Sequence, residues 1–71
     1  MPSSDTPDTS VLAAELHVVA DQTDGLRARV GALAEPFLGT DREDVVAAVI
    51  EAERQLRMAA RALQRALRTV A

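Results

Sequence analysis

The chain has 71 residues and a formal net charge of −3, with no cysteine, no tryptophan, no tyrosine and a single phenylalanine. Disulfides and thiolate metal sites are therefore excluded, large aromatic anchors for a binding hot spot are missing, and the acidic balance argues against a dedicated nucleic-acid binder. A domain this small buries little, so alanine and leucine must carry the packing, and oligomerisation is the usual supplement.

No run approaches the roughly 18 apolar residues of a membrane span. Met1-Pro2-Ser3-Ser4-Asp5 has neither the positive nor the apolar region of a cleaved secretory signal, so the expected location is the cytoplasm, with export of an uncleaved chain as the alternative. Residues 1–8 carry Ser, Asp, Thr and Pro and are expected to form a disordered tail. Thr6-Pro7-Asp8-Thr9-Ser10 then offers several N-cap residues and a proline suited to a first helical turn.

Helix 1 is expected over about 9–35. Its apolar rhythm, Leu12, Leu16, Val19, Thr23, Leu26, Val30, Leu33 and Phe37, steps by four and three residues in turn and crosses Gly25 and Gly31 in phase. Both glycines fall off that rhythm. Either they are tolerated on a solvated surface, at about 1 kcal/mol each relative to alanine, or they admit a neighbouring helix. Pro36 disfavours the helical conformation at Glu35 and removes a backbone donor, and Gly39 suits a reversal, so the turn is placed at 36–40. Thr40-Asp41-Arg42-Glu43 reads as a capping box opening helix 2, which is expected over about 41–70.

Helix 2 repeats the rhythm with Val46, Val49, Glu53, Leu56, Ala60, Leu63, Leu67 and Val70. Folding the chain back sets Leu33 beside Val49, Leu26 beside Leu56, Val19 beside Leu63 and Leu12 beside Val70, with Val30 opposite Glu53 and Leu16 opposite Leu67. The constant sum of residue numbers along such pairs is what an antiparallel hairpin requires. The fold class is therefore all-α, an antiparallel, coiled-coil-like two-helix hairpin over residues 9–71. Leu12, Leu16, Val19, Leu26, Val30, Leu33, Phe37, Val46, Val49, Leu56, Leu63 and Leu67 form its expected core. Thr23 facing Ala60 is a thin spot in that packing. Glu53 is the one charge in the seam, able to bend toward Arg29 or to pair with Arg57 four residues on; a polar seam residue often fixes register at some cost in stability.

Beside the seam, Val45, Ala52, Ala59 and Ala66 recur every seven residues, making the apolar arc of helix 2 wider than one neighbour can cover. A second hairpin docking on this association face would give a dimeric four-helix bundle. Arg54, Arg57, Arg61, Arg65 and Arg68 project within an arc of about 80° at ~100° per residue. Residues 54–71 carry +5 and residues 1–53 carry −8. The stripe is a candidate surface for an acidic or nucleic-acid partner, or else a solvated face offset by Glu15, Asp21 and Asp24 across the hairpin. Nucleic-acid binding lacks aromatic platforms here.

No catalytic, cofactor-binding or metal constellation is present. His17 and Asp21 make one i, i+4 pair, and a metal needs more ligands. There is no glycine-rich phosphate loop and no strand pattern. The chain reads as a non-enzyme that needs no cofactor.

At the turn stands Phe37-Leu38-Gly39. An aromatic residue, any residue and glycine at the elbow of a short helical hairpin resembles the WXG family of small type VII secretion proteins. The resemblance implies a hairpin that dimerises into a four-helix bundle and is exported with no cleaved signal. Phe37 stands where that family has Trp, and Gly39 matches. The chain is shorter than typical members, and with no tyrosine it has no counterpart of the family's C-terminal Tyr-containing secretion motif. The function expected from the residues themselves is a helical interaction or assembly module, partnered by a second copy or another helical protein.

Overall fold

In the computed structural model, which describes residues 8–70, the chain forms two helices packed against each other: α1 over Thr9–Leu33 and α2 over Glu43–Val70. The expectation of a disordered tail falls on residues 1–7, outside the described residues, apart from Asp8. That residue is the N-cap of α1. Its carboxylate accepts hydrogen bonds from the Ser10 backbone N–H at 2.9 Å and the Ser10 hydroxyl at 2.8 Å, and these hold its pKa below the usual carboxylate value. The cap is thus complete at neutral pH and is lost as acid protonates Asp8 through that lowered pKa.

α1 is continuous through Gly25 and Gly31. It ends in a 3₁₀ turn over Glu35–Phe37, with Pro36 in its first turn. Successive i to i+3 bonds then carry the reversal: the N–H of Phe37 donates to Ala34, that of Leu38 to Glu35 and that of Thr40 to Phe37. Gly39 sits at φ 75°, a left-handed conformation in which a side chain would be strained.

The capping box does not form. Thr40 spends its backbone N–H on the Phe37 carbonyl and donates its hydroxyl to the same oxygen at 2.6 Å, so nothing is left for Glu43 to reach back to. The hydroxyl also accepts from the Arg42 N–H, and the Arg42 carbonyl takes the first helical bonds, from Val45 and Val46. α2 consequently opens at Glu43, two residues later than the box implied.

Along α2 the seam falls where the rhythm places it: Val46, Val49, Glu53, Leu56, Ala60, Leu63, Leu67 and Val70 are all buried or half-buried. α1 is turned relative to expectation. Leu16, Thr23 and Val30 keep their inward positions, but Ala13, Ala20, Arg27 and Ala34 take the alternate places expected of Leu12, Val19, Leu26 and Leu33. Those four large residues are exposed, as is Phe37 at the turn. The cause is size. Alanine lets two backbones approach closely, and the buried residues of the described chain are Ala20, Ala34 and Ala60. Thr23, at the thin spot, satisfies its hydroxyl on the Val19 carbonyl at 2.8 Å.

The two glycines separate. A Cβ on Gly31 would lie 2.7 Å from the Glu53 carboxylate, so Gly31 admits the opposite helix, whereas Gly25 faces open space.

Because Ala20 is 1% exposed at the tightest point of the seam, Ala20→Leu should destabilise the hairpin. Overpacking there costs about 1–3 kcal/mol in urea denaturation, whereas Ala14→Leu, at an exposed α1 position, stays within about 0.5 kcal/mol.

Candidate interaction surfaces

An antiparallel helix pair sorts its residues by their place relative to the seam. Stepping back one residue turns each helix by ~100°, and because the chains run oppositely both turns lead to the same side of the hairpin. On α1 the residues one before the seam positions Ala13, Ala20, Arg27 and Ala34 are Leu12, Val19, Leu26 and Leu33. On α2 those one before Val46, Glu53, Ala60 and Leu67 are Val45, Ala52, Ala59 and Ala66. The α2 association face and the displaced leucines of α1 therefore share one broad apolar face. Leu26 is 47% and Leu33 63% exposed, Ala52 and Ala59 are exposed, and Val45 and Ala66 are half-buried. Val11 and Val18, also exposed, extend its outer edge.

Stepping forward one residue leads to the opposite side. There α2 presents Arg54, Arg61 and Arg68, and α1 presents Asp21 and Glu35. The arginine stripe is thus the back of the same molecule whose front is apolar. It divides by pairing. Arg54 holds Glu51 at 2.9 Å and Arg57 holds Glu53 at 3.3 Å, both within α2. Arg61, Arg65 and Arg68 have no ion pair among the described residues and line, with Ala60 and Gln64, a shallow groove. Glu15, Asp21 and Asp24 do not offset them: the one ion pair these acids make among the described residues is Asp24 with Arg27, at 2.9 Å.

Glu53 forms the polar element of the seam. Its carboxylate lies 3.6 Å from the Arg27 guanidinium across the hairpin and 3.3 Å from that of Arg57 on its own helix. The side chains of Arg27 and Glu53 are only about a quarter exposed, at 25% and 23%. Asp24 hydrogen-bonds Arg27 from the same side, and this bond, with the charges of Asp24 and Glu53, raises the Arg27 pKa. Arg27, rather than Arg29, is the cross-hairpin partner. Arg27 was not among the seam residues read from sequence because a charge interrupts no apolar rhythm; its signal is the seven-residue spacing with Ala13, Ala20 and Ala34. Arg29 stands exposed on the apolar-face side of α1, where it lines a groove with Gln22, Gly25 and Leu26.

His17 and Asp21 are exposed, and no group of three or more His, Asp or Glu gathers among the described residues. No described helix is long and apolar enough to cross a membrane. No family model, curated protein or solved structure matches the chain.

If Glu53 ties the helices through Arg27, Glu53→Gln lowers the thermal midpoint in low salt and loses that effect once Arg27 is also replaced by Gln. A double-mutant cycle repeated in 1 M salt should show the coupling shrinking, since screening there acts within about 3 Å.

Proposed function

We propose that this chain is a non-catalytic helical assembly module whose apolar face, built from both helices, packs against another helical surface. The observation that carries this reading is the mismatch between core and face. The residues that the hairpin buries are alanines, while Leu12, Val19, Leu26 and Leu33, which repeat every seven residues, are left exposed. A seam that fully buries only alanines and leaves its leucines and valines half-buried limits the transfer free energy, at about 25 cal/mol per Å² of apolar area removed from water. Regularly spaced leucines beside such a seam gain that term only when something covers them.

The direction of the stripe supports the same reading. In a lone hairpin the apolar rhythm of a helix should point at its single neighbour. In a four-helix bundle it points between two neighbours, toward the bundle axis. The apolar rhythm of α1 lies between its contact with α2 and the outer face, the bundle geometry. Location in the cytoplasm, or export with no cleaved signal as the Phe37-Leu38-Gly39 resemblance implies, is decided by assaying cells and culture medium separately.

A second reading has its own observation, the groove of Arg61, Arg65 and Arg68 with no internal carboxylate. Those guanidiniums suit an acidic protein segment and lie on the side away from the apolar face, so both contacts can be held at once.

Light scattering across micromolar concentrations tests the first reading. The expected mass exceeds that of one chain and falls on dilution, and Leu26→Arg or Ala59→Arg lowers it while circular dichroism stays helical. A helical monomer throughout would refute the proposal. For the second reading, Arg61→Ala/Arg65→Ala should abolish salt-sensitive binding to an acidic peptide without changing the mass.

A further inference from the structure

We infer that the surface covering the apolar face is a second copy of this chain, related by a two-fold axis that crosses α1 near Gln22, so that α1 lies antiparallel on its counterpart and the two turns sit at opposite ends. This inference rests on the assembly reading above and supplies its partner, orientation and register.

The evidence is a symmetry within α1. A two-fold contact must be self-complementary: if residue i meets residue j, then j meets i. Reversing α1 on itself about a point between Gln22 and Thr23 brings Leu12 onto Leu33 and Val19 onto Leu26, so the exposed apolar residues superpose on one another. The same reversal brings Glu15 within one residue of Arg29, close enough to pair, and both are exposed and without an ion pair among the described residues. Each copy then contributes one acid and one base to a rim of the contact, giving two identical Glu15–Arg29 pairs flanking Gln22. The groove of Gln22, Gly25, Leu26 and Arg29 lies along this flank. Gly25 leaves open space there for the approaching chain.

The competing arrangements lack this match. Laid parallel, α1 would set Glu15 against Glu15 and Arg29 against Arg29. With the two-fold axis along the helices, α1 would cross the α2 flank carrying Ala48, Gln55, Ala62 and Thr69, which offers no charge. That arrangement would also bring the acidic turn regions of both copies, with Glu35, Asp41, Glu43 and Asp44, to one end.

Sedimentation equilibrium at low salt on charge-reversal variants tests the inference. Glu15→Arg alone, or Arg29→Glu alone, places like charges at both rims and should weaken the dimer about tenfold or more, and the double variant should return to within about threefold of the parent. In the cysteine-free chain, Gln22→Cys should form a disulfide-linked dimer on mild oxidation, while Leu38→Cys links copies only where two turns meet. A dimer whose single-reversal losses are not rescued, or which links through Leu38→Cys rather than Gln22→Cys, overturns this arrangement and leaves the assembly reading standing. A chain that remains monomeric overturns both.

Discussion

The structure depends on the close approach of two helices over alanine. Where Ala20, Ala34 and Ala60 meet the opposite helix, no larger side chain fits without separating the backbones, and the neighbouring features follow from that spacing. A Cβ at Gly31 would displace the Glu53 carboxylate, and Thr23 turns its hydroxyl back to its own helix. On α1, Leu12, Val19, Leu26 and Leu33 are left on the flank. A hairpin so built gains tightness and dispersion contact but removes little apolar area from water, the dominant favourable term in folding. It is ordered along its seam and leaves Leu12, Val19, Leu26 and Leu33 exposed on one side.

Chain reversal converts that seam into two chemically distinct faces. The triplets Ala52-Glu53-Arg54, Ala59-Ala60-Arg61 and Ala66-Leu67-Arg68 show how economically α2 does this. In each, the middle residue enters the seam, the alanine before it joins the apolar face, and the arginine after it joins the back. One residue of rotation, ~100°, separates the three roles. Because α1 runs the other way, its leucines, likewise one residue before the seam, extend the same apolar face, and Asp21 and Glu35, one residue after, share the arginine back.

The hairpin itself was legible from Pro36, Gly39 and two in-phase apolar runs, since each of these acts locally. So was the seam of α2, where the apolar rhythm and the row that contacts α1 coincide. α1 was misread by one position because periodicity locates the centre of apolar mass on a helix, and in α1 that centre lies beside the row that contacts α2. The residues that do make the contact, Ala13, Ala20, Arg27 and Ala34, are weak signals: three are small enough to sit anywhere and one is charged. The capping box failed for another reason. Its residues are correct, but the 3₁₀ turn before it had already used the Thr40 N–H, a backbone bond that composition does not reveal.

The seven-residue recurrence of Ala13, Ala20 and Ala34 on α1 raises the question of register, to which Glu53 contributes. Sliding α2 by one heptad along α1 would set Glu53 or Leu67 against Ala20 in place of Ala60, so packing opposes a slip. Charge discriminates sharply. In the observed register Glu53 lies between the Arg27 and Arg57 guanidiniums, whereas a slip would carry Arg27 against Ala60 or Val46 and lose the cross-hairpin contact, leaving Arg27 only Asp24 and Glu53 only Arg57. Breaking such a pair costs more than forming it gains, because the remaining charge still has to be desolvated. The cluster of Asp24, Arg27, Glu53 and Arg57 therefore acts mainly against misalignment, as a polar seam residue does in coiled coils. It lies on the arginine side of the hairpin, away from the row of Leu12, Val19, Leu26 and Leu33.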